Sequence, residues 1–274
     1  MSRKIAVIQF PGSNCERETV NAIQQIGGHA EIIRWNTSYQ EFNAFNAYVL
    51  PGGFSYQDRI RAGVIASKLP IMEFLLEASK AKKPILGICN GCQILAESGL
   101  VPNISGNHKI EMALDHNECN DEKIGFICDW QYVRLKNPKN CIFTREFDDN
   151  TVLPIPINHG EGKFIFKTKS LDVFSEHTLL QYVSPETDVN DTATTVFPIN
   201  PNASQWNIAG ISNAQGNVFA LMPHPERAYL LKQVPLSLED HWAKQKQKAQ
   251  SLQELGPWAP LFSSVWNALI KETV

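Results

Sequence analysis

The fold of this chain is decided by the stretch Pro84-Ile85-Leu86-Gly87-Ile88-Cys89-Asn90-Gly91-Cys92-Gln93, which continues to Gly99. Its first five residues form an apolar run with the length and the flanking residues of a buried parallel strand. The residues after the turn have the spacing of an amphipathic helix, with Ile94, Leu95 and Ser98 on one side. The stretch therefore predicts a strand, a sharp turn and a helix in direct succession.

Cys89 lies at this turn, in the position that serine takes in a nucleophile elbow. The glycines at positions 87 and 91 would let the strand and the helix approach each other closely while Cys89 takes a strained conformation. The partial positive charge at the amino end of the helix favours a thiolate there. The pattern predicts a reactive cysteine, although a buried cysteine is also a common small core residue.

A redox site is a second interpretation of the same residues. Cys89 and Cys92 form a Cys-x-x-Cys pair after a strand, which is the spacing of thioredoxin-like sites. A redox protein needs both thiols, whereas a nucleophile needs Cys89 and a base from elsewhere in the chain. The rest of the sequence has to decide between the two.

Length and composition are ordinary for a soluble globular protein. The chain has 274 residues, of which 43% are hydrophobic, enough to bury one large core or two smaller ones. Its net charge of −3 gives no electrostatic reason to expect nucleic acid or an anionic membrane as a partner. No apolar run approaches the roughly 20 residues of a membrane span, and residues 1–4 lead into strand-like sequence without a signal-peptide core. Six cysteines in such a chain indicate free thiols in a reducing compartment, so we expect a cytoplasmic protein.

Strands and helices alternate through the first hundred residues. Helical patterns begin near Asn14, which we expect to be an N-cap, and after Pro70. The alternation predicts a mainly parallel sheet with helices on its faces. Ligands bind at the carboxyl ends of the strands in such a sheet. The strands predicted by short apolar runs are 5–10, 30–34, 47–50 and 84–88.

Two adjacent glycines, Gly52 and Gly53, follow the third predicted strand. They could form no more than a tight turn. Alternatively, because glycine leaves its amide uncovered, the N–H of either residue could stabilise a developing negative oxygen. The second donor of such an oxyanion hole would be the amide of Asn90, directly after the nucleophile.

The middle of the chain combines short strand-like segments with polar loops. The segment 157–163 is compatible with a hairpin turn or with a loop near the active site, and the pattern slightly favours the hairpin. The histidines and cysteines of this region lack the paired spacing of a zinc site, so no metal site is expected; they are His108, His116, Cys119, Cys128 and Cys141. The predicted strands are 124–127, 130–135, 152–157, 163–166 and 179–183, followed by an antiparallel pair at 207–212 and 216–222.

A second stretch with chemical potential, Met222-Pro223-His224-Pro225-Glu226-Arg227, ends this region. The two prolines stiffen the backbone around His224. In an extended segment residues two apart project to the same side, so Glu226 should reach the same region as His224. A carboxylate behind an imidazole holds its tautomer while the other ring nitrogen faces a thiol. A cysteine nucleophile needs this arrangement and a dithiol redox site does not, so catalysis by Cys89, His224 and Glu226 is the favoured interpretation.

Taken together, these motifs resemble the class I, triad-type glutamine amidotransferases. A more specific likeness, to the family of glutaminase subunits of phosphoribosylformylglycinamidine synthase, runs from Ile5 to about Ala228. The chain departs from that pattern at Gln57, where glycine is usual, at Cys92, where an aromatic residue is usual, and at Asn158, where a small residue is usual. The likeness rests on five ordered segments, 10–15, 51–56, 61–63, 159–162 and 222–228.

The resemblance implies a single flavodoxin-like α/β domain over residues 1–228, with a short antiparallel section. A C-terminal helical extension, 229–274, would pack on or near it, with helices near 242–249 and 261–270. The extension could be a structural cap or a surface for a partner.

The resemblance also implies hydrolysis of L-glutamine to glutamate and ammonia, with Phe54, Gln93 and His159 binding the substrate. The full synthase reaction needs ATP, but this sequence has no Gly-x-x-x-x-Gly-Lys-Ser/Thr loop and no cofactor is expected in it. ATP and magnesium would belong to a large synthetase subunit, which receives the ammonia, and a small bridging subunit would complete the complex. The alternatives are a Cys-x-x-Cys redox protein and the glutaminase subunit of another amidotransferase.

Overall fold

The computed structural model describes residues 3–120, 122–168, 170–186 and 196–271. No helix in these ranges is both long and apolar enough to cross a lipid bilayer. The helices are α1 (Glu16–Gln25), α2 (Tyr39–Asn43), α3 (Ile71–Lys80), α4 (Asn90–Glu97), α5 (His241–Lys248) and α6 (Ala259–Lys271). The strands are β1 (Ile5–Gln9), β2 (Ala30–Arg34), β3 (Ala47–Leu50), β4 (Ile85–Ile88), β5 (Met112–Asp115), β6 (Glu118–Cys119), β7 (Glu122–Lys123), β8 (Ile127–Leu135), β9 (Val152–His159), β10 (Lys163–Phe166), β11 (Thr178–Val183), β12 (Ile208–Ser212) and β13 (Val218–Leu221).

The core is built on a nine-stranded sheet with the order β2-β1-β3-β4-β13-β12-β11-β8-β9. Strands β2, β1, β3, β4 and β13 run parallel to one another. Helices connect β1 to β2, β2 to β3 and β3 to β4, as parallel neighbours require. The order 2-1-3-4 is that of the flavodoxin-like doubly wound sheet, and the predicted fold class is confirmed.

The other half of the sheet, β12, β11, β8 and β9, is antiparallel. The predicted pair at 207–212 and 216–222 forms as β12 and β13, which are joined by a tight turn. The strand predicted at 124–127 is wrong except for Ile127, which begins β8; the strand predicted at 130–135 is the rest of β8, which pairs with β9 from Ile127 to Arg134. The outer end of β8 is solvent-exposed, so its sequence lacks the apolar run that marked the other strands.

The hairpin favoured for 157–163 is wrong. Strand β9 pairs with β8, and β10 pairs with β5 in a separate two-stranded sheet. The predictions missed β5, because its partner lies about fifty residues further along the chain and no local turn marks the pair. Residues 160–162 therefore form a loop between two sheets, at the carboxyl end of β9.

Helix α1 begins one residue later than expected. Its N-cap is Cys15, and Asn14 does not cap it. The amide of Asn14 donates instead to the carbonyl oxygen of Gly52 at 3.3 Å, within a short bridge between Ser13 and Gly53. The turn after β1 is thus tied to the glycine loop after β3.

The C-terminal segment contacts both halves of the molecule: Trp258 reaches β9, and α6 packs against α1. Trp258 is fully buried and donates from Nε1 to the carbonyl oxygen of Pro154 in β9 at 2.8 Å. Ser264 donates to the carbonyl oxygen of Ile142 at 2.7 Å, and Phe262 is buried beside it in the core. Helices α5 and α6 form where helical patterns predicted them, and residues 272–274 lie outside the described residues.

Candidate active site

Cys89 caps the amino end of α4 at the carboxyl end of β4, with φ 50° and ψ −106°. A non-glycine residue is strained in this region, which the close packing around it enforces. A Cβ on Gly87 would lie 2.5 Å from Leu95 Cδ1, and one on Gly91 would overlap the backbone of Leu50. Gly87 therefore lets α4 approach β4, and Gly91 lets it approach β3.

His224 and Glu226 form a buried pair, with 2.5 Å between His224 Nδ1 and Glu226 Oε1. The pairing of the two residues was expected, but the extended backbone predicted for this segment is wrong: residues 225–227 form a single 3-10 turn, which brings the carboxylate of Glu226 back to the ring of His224. Burial disfavours the charged imidazole, but Glu226 and the nearby thiols outweigh it and raise the pKa of His224 well above its ordinary value. The turn leaves Nδ1 engaged and Nε2 facing the other way.

The fold brings Cys89 and His224 to the same cavity. The Cys89 thiol points toward the backbone carbonyl oxygen of Asn158, 3.7 Å from Sγ. His224 Nε2 is buried and has no hydrogen bond within the described part of the chain, although Cys89 is close enough to help raise the pKa of His224. If the Cys89 side chain rotated away from Asn158, its thiol would contact His224 directly.

The glycine loop lies against the imidazole. A Cβ on Gly52 would lie 2.8 Å from His224 Cε1 and 3.5 Å from Cys89 Cβ, so only glycine fits at this position. The carbonyl oxygen of Gly52 accepts the amides of Asn14 and Cys15. Since N–H and C=O point in opposite directions across a trans peptide, the Gly53 amide is directed away from α1. Gly53 lines the cavity and Gly52 does not.

The cavity has a volume of about 240 Å³. Glu226, Gly52 and Asn90 lie behind its wall and do not line it. The predicted site residues that do line it are Gly53, Phe54, Cys89, Gln93, His159 and His224.

Asn90 connects the elbow to its surroundings. Its Oδ1 accepts the amide of Ser55 at 3.0 Å, and its Nδ2 donates to Gln93 Oε1 at 2.9 Å. Gln93 in turn donates from Nε2 to the carbonyl oxygen of Glu161 at 2.7 Å. As the first residue of α4, Asn90 has a backbone amide without an intrahelical partner. It combines an available amide donor with a side chain that fixes the loop opposite.

His159 is held as a neutral imidazole. Asn117 donates from Nδ2 to two carbonyl oxygens, which turns its Oδ1 toward His159 Nδ1 at 3.0 Å. Nδ1 must then carry the proton, leaving Nε2 as an acceptor. Burial, with His224 nearby, lowers the pKa of His159 to about 3. A side chain on Gly162 would overlap this ring, which explains the glycine after Glu161.

The cavity is also lined by residues that the sequence analysis did not assign, among them Cys15, Asp58, Glu161 and Arg227. Burial, with Glu161 as a second cause, raises the pKa of Asp58 to about 6. Arg227 donates to Glu18 at 2.8 Å and to Cys15 Sγ at 3.2 Å. Cys15 is buried, and this burial raises its pKa despite contact with His224. Three of these four residues, Cys15, Glu161 and Arg227, lie inside the segments that carry the family likeness. That placement could have identified them as site residues.

Two of the departures from the family pattern have a structural reading. Gln57 has φ 61°, the left-handed region in which glycine is unstrained, so its side chain is accommodated at a cost. Asn158 meets Cys89 through its backbone carbonyl, which any residue would supply. Both leave the groups around Cys89 in place.

Cys92 does not favour a redox site. It has no exposed surface, and burial raises its pKa well above the ordinary value, which opposes the thiolate that disulfide exchange requires. It does not line the cavity that holds Cys89. Cys92 is a core residue of α4.

Comparison with known proteins assigns the family. The model for the CobB/CobQ-like glutamine amidotransferase domain matches residues 2–267. A phosphoribosylformylglycinamidine synthase subunit PurQ from Methanothrix thermoacetophila is 44% identical over 240 residues, which cover 85% of this chain and 89% of that protein. The chain belongs to the PurQ family of glutamine amidotransferases. The PurQ subunit of Chlorobium luteolum is 42% identical, over 82% of this chain and 89% of that protein.

A solved structure agrees with the family assignment. A chain of the PurLQS structure from Thermotoga maritima superposes with a TM-score of 0.70 at 29% identity, covering 98% of this chain and 100% of that one. The PurQ-family fold thus includes the parallel half of the sheet and its antiparallel extension.

Proposed function

We propose that this chain hydrolyses the side-chain amide of L-glutamine through Cys89, His224 and Glu226 and delivers the ammonia to a synthetase subunit. That subunit would use it, with ATP, to convert formylglycinamide ribonucleotide to formylglycinamidine ribonucleotide in purine biosynthesis. One observation carries the proposal: Cys89, whose backbone is strained, and His224, whose imidazole is bound to Glu226, line the same small cavity. The relatives of this chain are named as subunits of that synthase.

We assign each catalytic step to a group of this chain. The Cys89 thiolate attacks the carboxamide carbon of glutamine. The amides of Gly53 and Asn90 hold the resulting oxyanion, with Gly52 giving the imidazole room. His224, oriented by Glu226, takes the thiol proton and gives it to departing ammonia. Water activated by His224 then hydrolyses the Cys89 thioester and releases glutamate.

The cavity also carries charges that suit a free amino acid. Asp58 and Glu161 supply negative charge for an α-ammonium group, and Arg227 supplies positive charge for an α-carboxylate. Gln93 and the acceptor nitrogen of His159 are polar groups suited to the side-chain amide of glutamine. Phe54 and Phe126, whose rings are 6.2 Å apart, form a partly exposed rim over which the substrate enters.

The partners follow from the relatives and from what the sequence lacks. PurQ relatives are subunits of phosphoribosylformylglycinamidine synthase, and the Thermotoga maritima structure is of a complex called PurLQS. We infer a large synthetase subunit, which would hold ATP and magnesium, and a small bridging subunit. Ammonia released into water would be protonated and lose its nucleophilicity, so a shielded route between the subunits is expected.

We further propose that residues 1–228 form the amidotransferase domain and that 229–274 is an extension stabilising its antiparallel edge. The buried bond from Trp258 to Pro154 supports a capping role. Free cysteines at six positions support a reducing, cytoplasmic location.

Ammonia release from L-glutamine, measured with and without the synthetase partner, tests the function. We expect weak hydrolysis by the isolated chain, stimulation by the partner, and no release by Cys89→Ala in either case. A Cys89→Ala chain that still releases ammonia would refute the proposed nucleophile, and full activity without the partner would refute the coupling.

A further inference from the structure

A second thiol, Cys15, lies beside the proposed catalytic imidazole. One ligand atom each from Cys15, His224 and Glu226 lie within 4.8 Å of one another, and all three residues are buried. Cys15 belongs to the turn before α1 and has no step in glutamine hydrolysis. Its Sγ hydrogen-bonds to Asn14 Oδ1 at 3.1 Å and accepts from Arg227 at 3.2 Å.

The imidazole of His224, which lies near the thiols of Cys15 and Cys89, is arranged as a metal ligand. Glu226 holds His224 Nδ1 at 2.5 Å, and Nε2 is buried without a hydrogen bond in the described ranges. A histidine bound to a metal through one nitrogen and to a carboxylate through the other has this arrangement. Burying an unsatisfied ring nitrogen is costly, and a cation would satisfy it.

Cys89 is the third proposed ligand, although its Sγ is not among the ligand atoms that lie within 4.8 Å of one another. A Cβ on Gly52 would lie 2.8 Å from His224 Cε1, 3.1 Å from Cys15 Sγ and 3.5 Å from Cys89 Cβ, so the three residues converge on this glycine. All three also line the cavity, which gives an entry path and an open fourth position for water.

We propose that Cys15, Cys89 and His224 bind a thiophilic divalent cation of the Zn²⁺ type, which inhibits the chain reversibly by taking nucleophile and base together. Zn²⁺ is held at about 2.3 Å by sulfur and about 2.0–2.1 Å by nitrogen, so the thiols must rotate inward from their present spacing. Each thiol gives its proton to solvent on binding. Two thiolates then neutralise the cation, and the bond from Arg227 supports the thiolate of Cys15.

Cobalt absorption tests the site without relying on the proposed function. Co²⁺ added to the full chain should give one thiolate-to-cobalt charge-transfer band, displaced by one equivalent of Zn²⁺. Cys15→Ala should weaken Co²⁺ binding at least tenfold, and Cys15→Ser serves if the alanine variant does not fold. The matched control is Cys128→Ala, which removes an exposed thiol and should leave the band unchanged.

Glutamine hydrolysis gives a second readout, and this part rests on the proposed function. Zn²⁺ should inhibit hydrolysis, and a chelator should restore it. Cys15→Ala, normalised to its own zinc-free rate, should need at least tenfold more Zn²⁺ for half-inhibition. A cobalt band unchanged in Cys15→Ala and lost in Cys128→Ala would overturn the proposal, because the metal would then bind only a surface thiol. A chain without glutaminase activity would refute the proposed function and leave the cobalt result standing.

Discussion

The side chain of Asn90 accepts the backbone amide of Ser55 at 3.0 Å, and this bond joins the residue after the nucleophile to the segment after the glycine loop. The two oxyanion donors proposed here, the amides of Asn90 and Gly53, lie on different elements, α4 and the loop after β3. The Asn90–Ser55 bond is a direct link between them. It should therefore matter more for the rate of hydrolysis than for folding.

Asn90→Ala should lower kcat for glutamine hydrolysis roughly tenfold, because the loop that carries the amide of Gly53 would lose its bond to α4. The lost hydrogen bond is buried, so the free energy of unfolding should also fall, by on the order of 1–3 kcal/mol. Steady-state kinetics with urea unfolding measures both effects. Asn217→Ala is the matched control, since Asn217 is also buried and donates to the carbonyl oxygens of Ser79, in α3, and Lys83, before β4. It should lose stability without losing kcat, and equal losses of kcat in the two variants would contradict the link.

Gly52→Ala should abolish most activity, because the new methyl group would press on His224 Cε1 from 2.8 Å and on Cys15 Sγ from 3.1 Å. We expect kcat to fall by roughly 10²-fold or more, since displacement of a catalytic group by about 1 Å has effects of this order. Gly106→Ala is the control: Gly106 has φ 69° and open space around it. That variant should cost about 1 kcal/mol of stability and leave kcat unchanged, and an active Gly52→Ala would show that the imidazole has another position.

Glu226→Gln should keep the fold and lose most of the rate. Glutamine retains the shape of the carboxylate but no longer stabilises the imidazolium, so we expect kcat to fall by about 10²–10⁴-fold. KM should change little, because Glu226 lies behind His224 and outside the cavity lining. Kinetics on a variant whose circular dichroism matches the parent measures this, and a full kcat would mean that Glu226 is only structural.

Asp58→Asn should stabilise the chain at alkaline pH. In the folded chain the pKa of Asp58 is raised from 3.8 to about 6, first by burial and then by Glu161. Between these values the folded state binds more protons than the unfolded state, so the free energy of unfolding falls as pH rises through this window. Because Asp58 is only half-buried, we expect a gain of about 1 kcal/mol at pH 8 and little change near pH 4.

Urea unfolding at the two pH values measures the Asp58 effect, with Asp148→Asn as the control at an exposed carboxylate. The free energy of unfolding, relative to that of the parent chain, should increase from pH 4 to pH 8 only in the Asp58 variant. The opposite sign would mean that the ionised Asp58 is stabilised by a partner. If Asp58 also receives the ammonium group of glutamine, the same variant should raise KM.

The local signals in the sequence predicted the parallel half of the molecule well. The strands at 30–34 and 47–50 form as expected, and the elbow at Cys89 follows from two glycines, which let α4 pack closely against β4 and β3. These features depend on residues close together in the chain. The pairing of β10 with β5 and the single long strand β8 depend on distant partners, and pattern alone missed both.

The site was predicted in its residues more than in its geometry. Cys89 and His224 were identified because their neighbouring glycines and prolines restrict the backbone. The 3-10 turn that folds Glu226 under His224 could not be read from a two-residue spacing. The contact of Cys15 with His224 and the Asp58–Glu161 pair join separate elements, and only the assembled fold brings them together.

A covalent label tests the central claim most directly. The full chain is treated with a chloroketone analogue of L-glutamine at neutral pH, and the modified residue is identified by peptide mass. We expect one label, on Cys89. L-glutamine should prevent this labelling and D-glutamine should not. The His224→Ala variant should be labelled more slowly than the parent chain. Modification of Cys15 or Cys92 instead, or labelling of Cys89 that L-glutamine fails to slow, would contradict a glutamine-binding cavity with Cys89 as its nucleophile.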